Sequence, residues 1–242
     1  MKEAIKINNL EYTYPDGTRA LEGINLNIFE GESVGLLGPN GAGKSTLLLH
    51  LNGILKQKGK VEVFGLNLDN GNLDKIRSKV GFVFQDPENQ LFMPTVFDDV
   101  AFGPINMKKT LEEIKASVNE ALREVDMLDS ITRISHHLSF GEKKRVSIAT
   151  VLSMKPEILL LDEPSANLDP AARRHLIDLL KKLPGTKIIA GHDLELILEL
   201  CSRVVVLDKG RIVADGKTEE ILSNSSLMKL HSLEVPLSLR KR

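Results

Sequence analysis

The run GPNGAGKST at residues 38–46 constrains this chain more than any other stretch, because it follows the apolar segment SVGLL directly and leads into LLLHLNG. A glycine-rich turn between a buried strand and a helix lets consecutive backbone N–H groups converge on an anion. The helix N-terminus adds partial positive charge at the same point. Gly38, Gly43, Lys44 and Ser45 satisfy GxxxxGK[ST], in which the lysine holds the β- and γ-phosphates and the hydroxyl ligates Mg2+. We therefore expect Gly38, Pro39, Asn40, Gly41, Ala42, Gly43, Lys44, Ser45 and Thr46 to cradle ATP, with Ser45 on the metal. The bland alternative is a strand-to-helix turn that binds nothing; the Lys-Ser pair and the apolar strand before it argue against that.

A second acidic site follows the apolar stretch ILLL, where Asp162 and Glu163 end a buried strand. A carboxylate at the C-terminal edge of such a strand, beside a phosphate loop, steadies Mg2+ through its water shell. The next one orients or deprotonates the attacking water. Asp162 and Glu163 take these roles in that order. Alone, a strand ending in DEP is as often a solvated turn.

Strand and helix signals around these sites give an α/β fold: a phosphate-loop nucleoside-triphosphatase core with a mainly parallel sheet, an N-terminal antiparallel β subdomain and an inserted helical lobe. The opening segments IKINNLEYTY and GINLNIF are strand-like and separated by the turn residues Pro15, Asp16 and Gly17. Buried strands are expected at SVGLLG, VGFVF, residues 158–163, KIIAGH and RVVVLD, and Gly53 is placed to end the helix after the phosphate loop. Between residues 85 and 156 no buried strand is legible. There LEEIKASVNEALREVDML sets Leu111, Ile114, Val118, Leu122, Val125 and Leu128 on one helical face, and ordinary packing accounts for the stripe. The lobe is expected over 86–156, within a single domain 1–242 whose core comprises 1–85 and 157–242. EKKRVSIATVLS continues as a helix with its positive charges turned to solvent.

Charge and composition exclude several classes. With 32 Lys+Arg against 33 Asp+Glu the net charge is -1, so no basic field recommends nucleic acid as a partner. One cysteine, Cys201, permits no internal disulfide and suits a reducing cytoplasm. The first residues lack the layout of a signal peptide, and no apolar stretch approaches the ~20 residues of a membrane-spanning helix. Any membrane work therefore needs another subunit to cross. The terminal LRKR is expected to be a solvated tail, and the six histidines form no local metal cluster.

Over nearly its whole length the chain resembles the ATP-binding cassette ATPases. Gln85 in FVFQDP is similar to the glutamine that joins Mg2+ and the attacking water to the helical lobe, and LSFGE at residues 138–142 resembles the signature motif. SANLD, with Asp169, resembles the loop that crosses the dimer interface. His192 in AGHD matches the histidine that contacts the γ-phosphate, and Tyr14 the aromatic residue that stacks on adenine, with Tyr12 as a rival. The resemblance implies that Ser139, Gly141 and Glu142 act on nucleotide held by an opposite subunit, so that a second ATPase chain, identical or different, completes each site. Phe140 and Glu142 depart from the usual LSGGQ, while Ser139 and Gly141, which matter most for the γ-phosphate, are kept.

QDPENQLFMPTVFDDVAFGP, residues 85–104, is similar to the corresponding segment of energy-coupling factor ATPases, including those of cobalt and nickel importers. This implies a peripheral subunit on the cytoplasmic face of the membrane, working with a transmembrane coupling subunit and a substrate-binding membrane subunit. Cobalt is the first cargo expected, then nickel or a vitamin. The rival within the superfamily is a soluble assembly ATPase such as that of iron–sulfur cluster biogenesis. A DNA-linked cassette would need a long coiled coil or a basic face, and this sequence has neither.

Overall fold

The computed structural model of the chain describes residues 2–57 and 60–240. In chain order these form β1 (Glu3–Thr13), β2 (Arg19–Phe29), β3 (Ser33–Leu37), α1 (Lys44–Leu51), β4 (Val61–Val63), β5 (Leu66–Asn67), α2 (Leu73–Arg77) and β6 (Val80–Val83). The helices α3 (Val96–Asn106), α4 (Leu111–Glu124) and α5 (Phe140–Leu152) follow. The chain continues through β7 (Ile158–Asp162), α6 (Pro170–Lys182), β8 (Thr186–Ala190), α7 (Leu194–Leu200), β9 (Arg203–Asp208), β10 (Arg211–Lys217), α8 (Thr218–Ser223) and α9 (Ser225–Leu230).

Two sheets organise these elements. One has four strands in the order β2-β1-β4-β5; the other has six in the order β10-β9-β3-β8-β7-β6. All neighbours in the six-stranded sheet run parallel except β10, which pairs antiparallel with β9. Its central strands are buried and mainly apolar because both faces are covered. The side-chain period of two then sends alternate residues into different cores: Ile158 and Leu160 of β7 join α1 and the four-stranded sheet, while Leu159 and Leu161 join the helices on the far side. Gly35 of β3 lets α7 approach, since a Cβ there would come 2.6 Å from the Ile197 side chain.

The parallel order brings the C-terminal ends of β3, β7 and β8 to one edge, with β3 between β8 and β9. Ligands of open α/β sheets bind at such an edge. Gly53 takes φ 74 just beyond α1, as a helix-ending glycine does.

Several expectations need correction. β4, β5 and β10 were not legible: the first two have only three and two residues, and β10 is an edge strand with no buried residue. The stripe at 111–128 is shorter than its periodicity predicts. Ile114, Val118, Leu122 and Val125 are buried, but Leu111 is 61% exposed at the helix start and Leu128 lies in a separate 3-10 turn, Leu128–Ser130. The capping box of Thr110 and Glu113 fixes where this helix begins, and the fold ends it at Glu124. The basic tail is not wholly solvated: Leu239 packs on the helical-side core and Arg240 pairs with Glu234 at 2.6 Å. Its last two residues, Lys241 and Arg242, lie outside the described residues.

Candidate functional site

A cavity of about 720 Å³ opens at this sheet edge and gathers segments remote in sequence: the β1–β2 turn with Tyr14, the phosphate loop from Asn40 to Thr46, Gln85 after β6, Glu163 after β7 and His192 after β8. The loop is shaped by close backbone approach. Gly38 has φ 147 and a Cβ there would lie 2.1 Å from the Leu207 carbonyl, while Gly43 has φ 104 and a Cβ would lie 2.5 Å from the Ala20 carbonyl. Both positions exclude side chains. Gly43 is also the N-cap of α1, and no side chain caps that helix. The Lys44 ammonium folds back over the loop and donates to the carbonyls of Gly38 (2.8 Å) and Pro39 (3.2 Å). Burial lowers its pKa, against the opposing charges of Glu163 and Asp162.

Asp162 closes β7 and is 7% exposed. Its carboxyl is raised above the ordinary range by burial, with a hydrogen bond from Ser45 and the charges of Lys44 and Lys144 acting the other way. Its Oδ1 is buried without a hydrogen-bond partner. An orphaned carboxylate oxygen beside a hydroxyl is an oxygen donor set of the kind Mg2+ takes, so Ser45 and Asp162 fit the metal. Glu163 sits at φ 45, a costly conformation for a non-glycine residue, held by the hydrogen bond its backbone N–H donates to the Ala190 carbonyl at 2.9 Å. Its Oε2 accepts from the His192 amide at 3.2 Å, and Oε1 lies 3.3 Å from His192 Nε2. Burial raises its pKa, while His192 and Lys44 draw it back. The same imidazole nitrogen is 2.8 Å from Asn40 Oδ1 and 3.2 Å from the Lys44 ammonium.

Of the two tyrosines, Tyr14 lines the cavity and its hydroxyl is 3.0 Å from Thr46 Oγ1. Tyr12 packs edge-on against both Tyr14 and His50, at 5.0 and 4.7 Å between ring centroids. Gln85 is exposed in the cavity, but its backbone is not free: Lys144 donates to the carbonyls of Gln85 (2.5 Å) and Phe84 (3.3 Å). This corrects the expectation that the positive charges of α5 face solvent. Lys144 is 1% exposed, and burial pushes its pKa down to about 8. A signal was present in the sequence, since Lys144 falls on the stripe of the buried residues Ser147, Ile148 and Val151.

Ser139, Phe140, Gly141 and Glu142 do not line this cavity. They line another, of about 380 Å³, between α5 and α6, together with Asn167 and Asp169. Ser139 and Glu142 form a capping box: the hydroxyl accepts from the Glu142 amide at 3.3 Å and the carboxylate accepts from the Ser139 amide at 2.7 Å. Arg133 also donates to that carboxylate at 2.8 Å. The Ser139 amide first holds Glu142 below the ordinary carboxylate range, against the opposing effect of desolvation, and Arg133 adds to the lowering. Asp169 caps α6 by accepting from the Ala172 amide at 2.8 Å.

Sequence reasoning also missed Asp193 and Arg173. The Arg173 guanidinium grips Asp193 through two bonds of 2.5 and 2.6 Å, and Asp193 caps α7 through the Leu196 amide at 3.0 Å. An aspartate before an apolar run is a readable helix start; its arginine partner, 20 residues earlier, is not.

A protein-family model described as ABC transporter matches residues 21–166. The chain is 48% identical over 244 residues to the energy-coupling factor transporter ATP-binding protein EcfA of Carboxydothermus hydrogenoformans, covering 99% of this chain and 90% of that protein. Among solved structures it is similar to CbiO1 of Clostridium perfringens, part of the ABC transporter complex CbiONQ, with TM-score 0.83 and 41% identity over 95% of this chain and 94% of that one. It is also similar to an ATP-binding cassette in a dimeric post-hydrolysis state bound to ADP and Pi, with TM-score 0.80 and 32% identity over 88% and 98% of the two chains.

Proposed function

Because this chain belongs to the ABC transporter family, as an ATP-binding subunit that hydrolyses ATP, we propose that it powers uptake of a small solute through an energy-coupling factor membrane transporter. Tyr14 stacks on the adenine, the backbone of residues 38–46 cradles the phosphates, and Lys44 holds the β- and γ-phosphoryl groups. Glu163 orients and deprotonates the attacking water, with His192 on the γ-phosphate and Gln85 beside it. When bound, Mg2+ neutralises phosphate charge, and Ser45, Asp162 and Gln85 are the residues that would hold it. The observation that carries this reading is the cluster at one sheet edge: Lys44 lies 3.2 Å from His192, and Glu163 3.3 Å from the same nitrogen.

Ser139 and Gly141 line a cavity separate from that of Lys44, which supports their acting, with Glu142 as cap, on nucleotide held by a second ATPase subunit. Two chains arranged head to tail then enclose two ATP molecules. The helical layer carries an apolar face, with Phe92 and Phe102 stacked edge-on at 5.1 Å and 58% and 44% exposed, and Ile105 54% exposed beside them in α3. A transmembrane coupling subunit docked on this face, with a substrate-binding membrane subunit beyond it, gives a peripheral location at the cytoplasmic side. No helix among the described residues is long and apolar enough to cross a membrane. Cobalt is the first cargo proposed, from the likeness of residues 85–104 to cobalt and nickel importer ATPases and from the similarity to CbiO1 of CbiONQ.

Glu163→Gln tests the site. Mg-ATP affinity stays within about twofold while hydrolysis falls by about a hundredfold or more, a barrier change of roughly 2.7 kcal/mol. Hydrolysis at the parent rate would remove Glu163 from its role. Purification with the membrane subunits, followed by cobalt uptake in vesicles, tests the coupling and the cargo.

A further inference from the structure

Lys144 is a fully buried cation without a salt-bridge partner among the described residues. An apolar side chain at this point would continue the stripe of Ile148 and Val151 without desolvating a charge. Its ammonium instead bonds to two backbone carbonyls, those of Phe84 and Gln85, while the carboxylates of Asp86, Asp162 and Glu163 act on it through space. Phe84 and Gln85 lie just past β6, whose pairing with β7 ends at Val83 opposite Leu161, so no strand satisfies their peptide groups. The Phe84 amide donates to Gln90 Oε1 at 3.1 Å, and Gln90 Nε2 donates to the Ser147 carbonyl and Thr150 Oγ1 of α5, each at 2.8 Å. The peptide groups that carry Gln85 into the cavity are thus tied to α5 on both sides. The N-terminus of the same helix is the Ser139–Glu142 box.

We propose that Lys144 is a positioning residue for ATP hydrolysis: its bonds to the Phe84 and Gln85 carbonyls make the placement of Gln85 in the cavity follow α5 rather than the sheet. This rests on the role proposed above for Gln85. Where the glutamine backbone is unheld, its amide reaches the reacting water and metal only part of the time, and turnover falls with little change in nucleotide affinity.

The test is a double-mutant cycle on the full chain, in the assembly in which the parent hydrolyses ATP. Lys144→Met, which keeps the side-chain volume, lowers kcat about tenfold with KM for ATP within about twofold. Gln85→Ala lowers kcat comparably, and the double variant is no slower than Gln85→Ala alone, because the two act through one group. Lys144→Gln, which retains an NH2 donor group, recovers part of the loss. If Lys144→Met does not fold, Lys144→Gln takes its place in the cycle. A kcat within twofold of the parent for the folded Lys144 variant, or losses that multiply in the double variant, overturns the inference. A lowered melting temperature with parental kcat does the same, since it marks a purely structural lysine. Gln85→Ala with parental kcat overturns the role of Gln85 itself, and this inference with it.

Discussion

At the start of α1 the capping position is Gly43, in a left-handed conformation and with no side chain closing the helix, whereas at the start of α5 Ser139 and Glu142 cap each other's backbone amides. Both helix ends carry motifs that resemble nucleotide-contacting segments, yet they are built in opposite ways. The first is an open cradle whose N–H donors and dipole face a cavity inside the same chain. The second is already satisfied within its own chain, with its acidic cap neutralised by Arg133. An end that needs a ligand to complete its hydrogen bonding suits tight binding. An end that is complete alone suits a surface that meets its ligand only when a partner brings it.

Alanine at the two glycines breaks this comparison most strongly. Gly43→Ala combines a φ of 104 with a 2.5 Å approach to the Ala20 carbonyl, and we expect a loss of about 2–4 kcal/mol in stability together with loss of ATP binding. Gly141 is not in the left-handed region, and a Cβ there would meet only the Ala172 side chain at 3.5 Å, an ordinary contact. Gly141→Ala therefore leaves stability within about 0.5 kcal/mol. Thermal unfolding of the two variants without nucleotide separates these outcomes; equal losses would mean that the two ends are not built differently.

Arg133→Ala gives a smaller effect, a few tenths of a kcal/mol, because the pair with Glu142 is partly exposed and screened by solvent. Its sign with pH is fixed. The folded-state pKa of Glu142 is lowered, so its contribution is present above the ordinary carboxylate range and is lost as pH falls through the lowered value. The variant should therefore differ from the parent near neutrality and converge with it in acid, as read from melting temperature against pH. A difference that persists in acid would mean that Arg133 stabilises by packing alone.

Much of this architecture was legible because its signals are local. The phosphate loop, the strand before it and Gly53 after α1 sit within 21 residues of one another, from Ser33 to Gly53, and each is fixed by its own backbone requirement. The buried strands are mainly apolar because both faces are covered, which composition reveals. What could not be read depends on distant partners: Lys144 is buried because the peptides of Phe84 and Gln85, about 60 residues away, need donors. The Arg173–Asp193 pair and the edge strand β10 likewise take their meaning from the assembled sheet. The position of Glu142 as N3 of a helix, three residues after a serine, is a capping pattern that the sequence itself contains.

The contrast between the two helix ends is tested most directly by nucleotide affinity in the absence of turnover. For Lys44→Ala, Ser139→Ala and the parent chain, a fluorescent, non-hydrolysable ATP analogue is titrated in the presence of Mg2+, and steady-state hydrolysis of ATP is measured on the same preparations. Lys44→Ala is expected to weaken binding by more than about tenfold, because the ammonium over the loop is gone. Ser139→Ala keeps affinity within about twofold and loses hydrolysis. Equal losses of affinity in the two variants would contradict the division of labour, and with it the claim that the α5 end acts on a nucleotide bound by another chain.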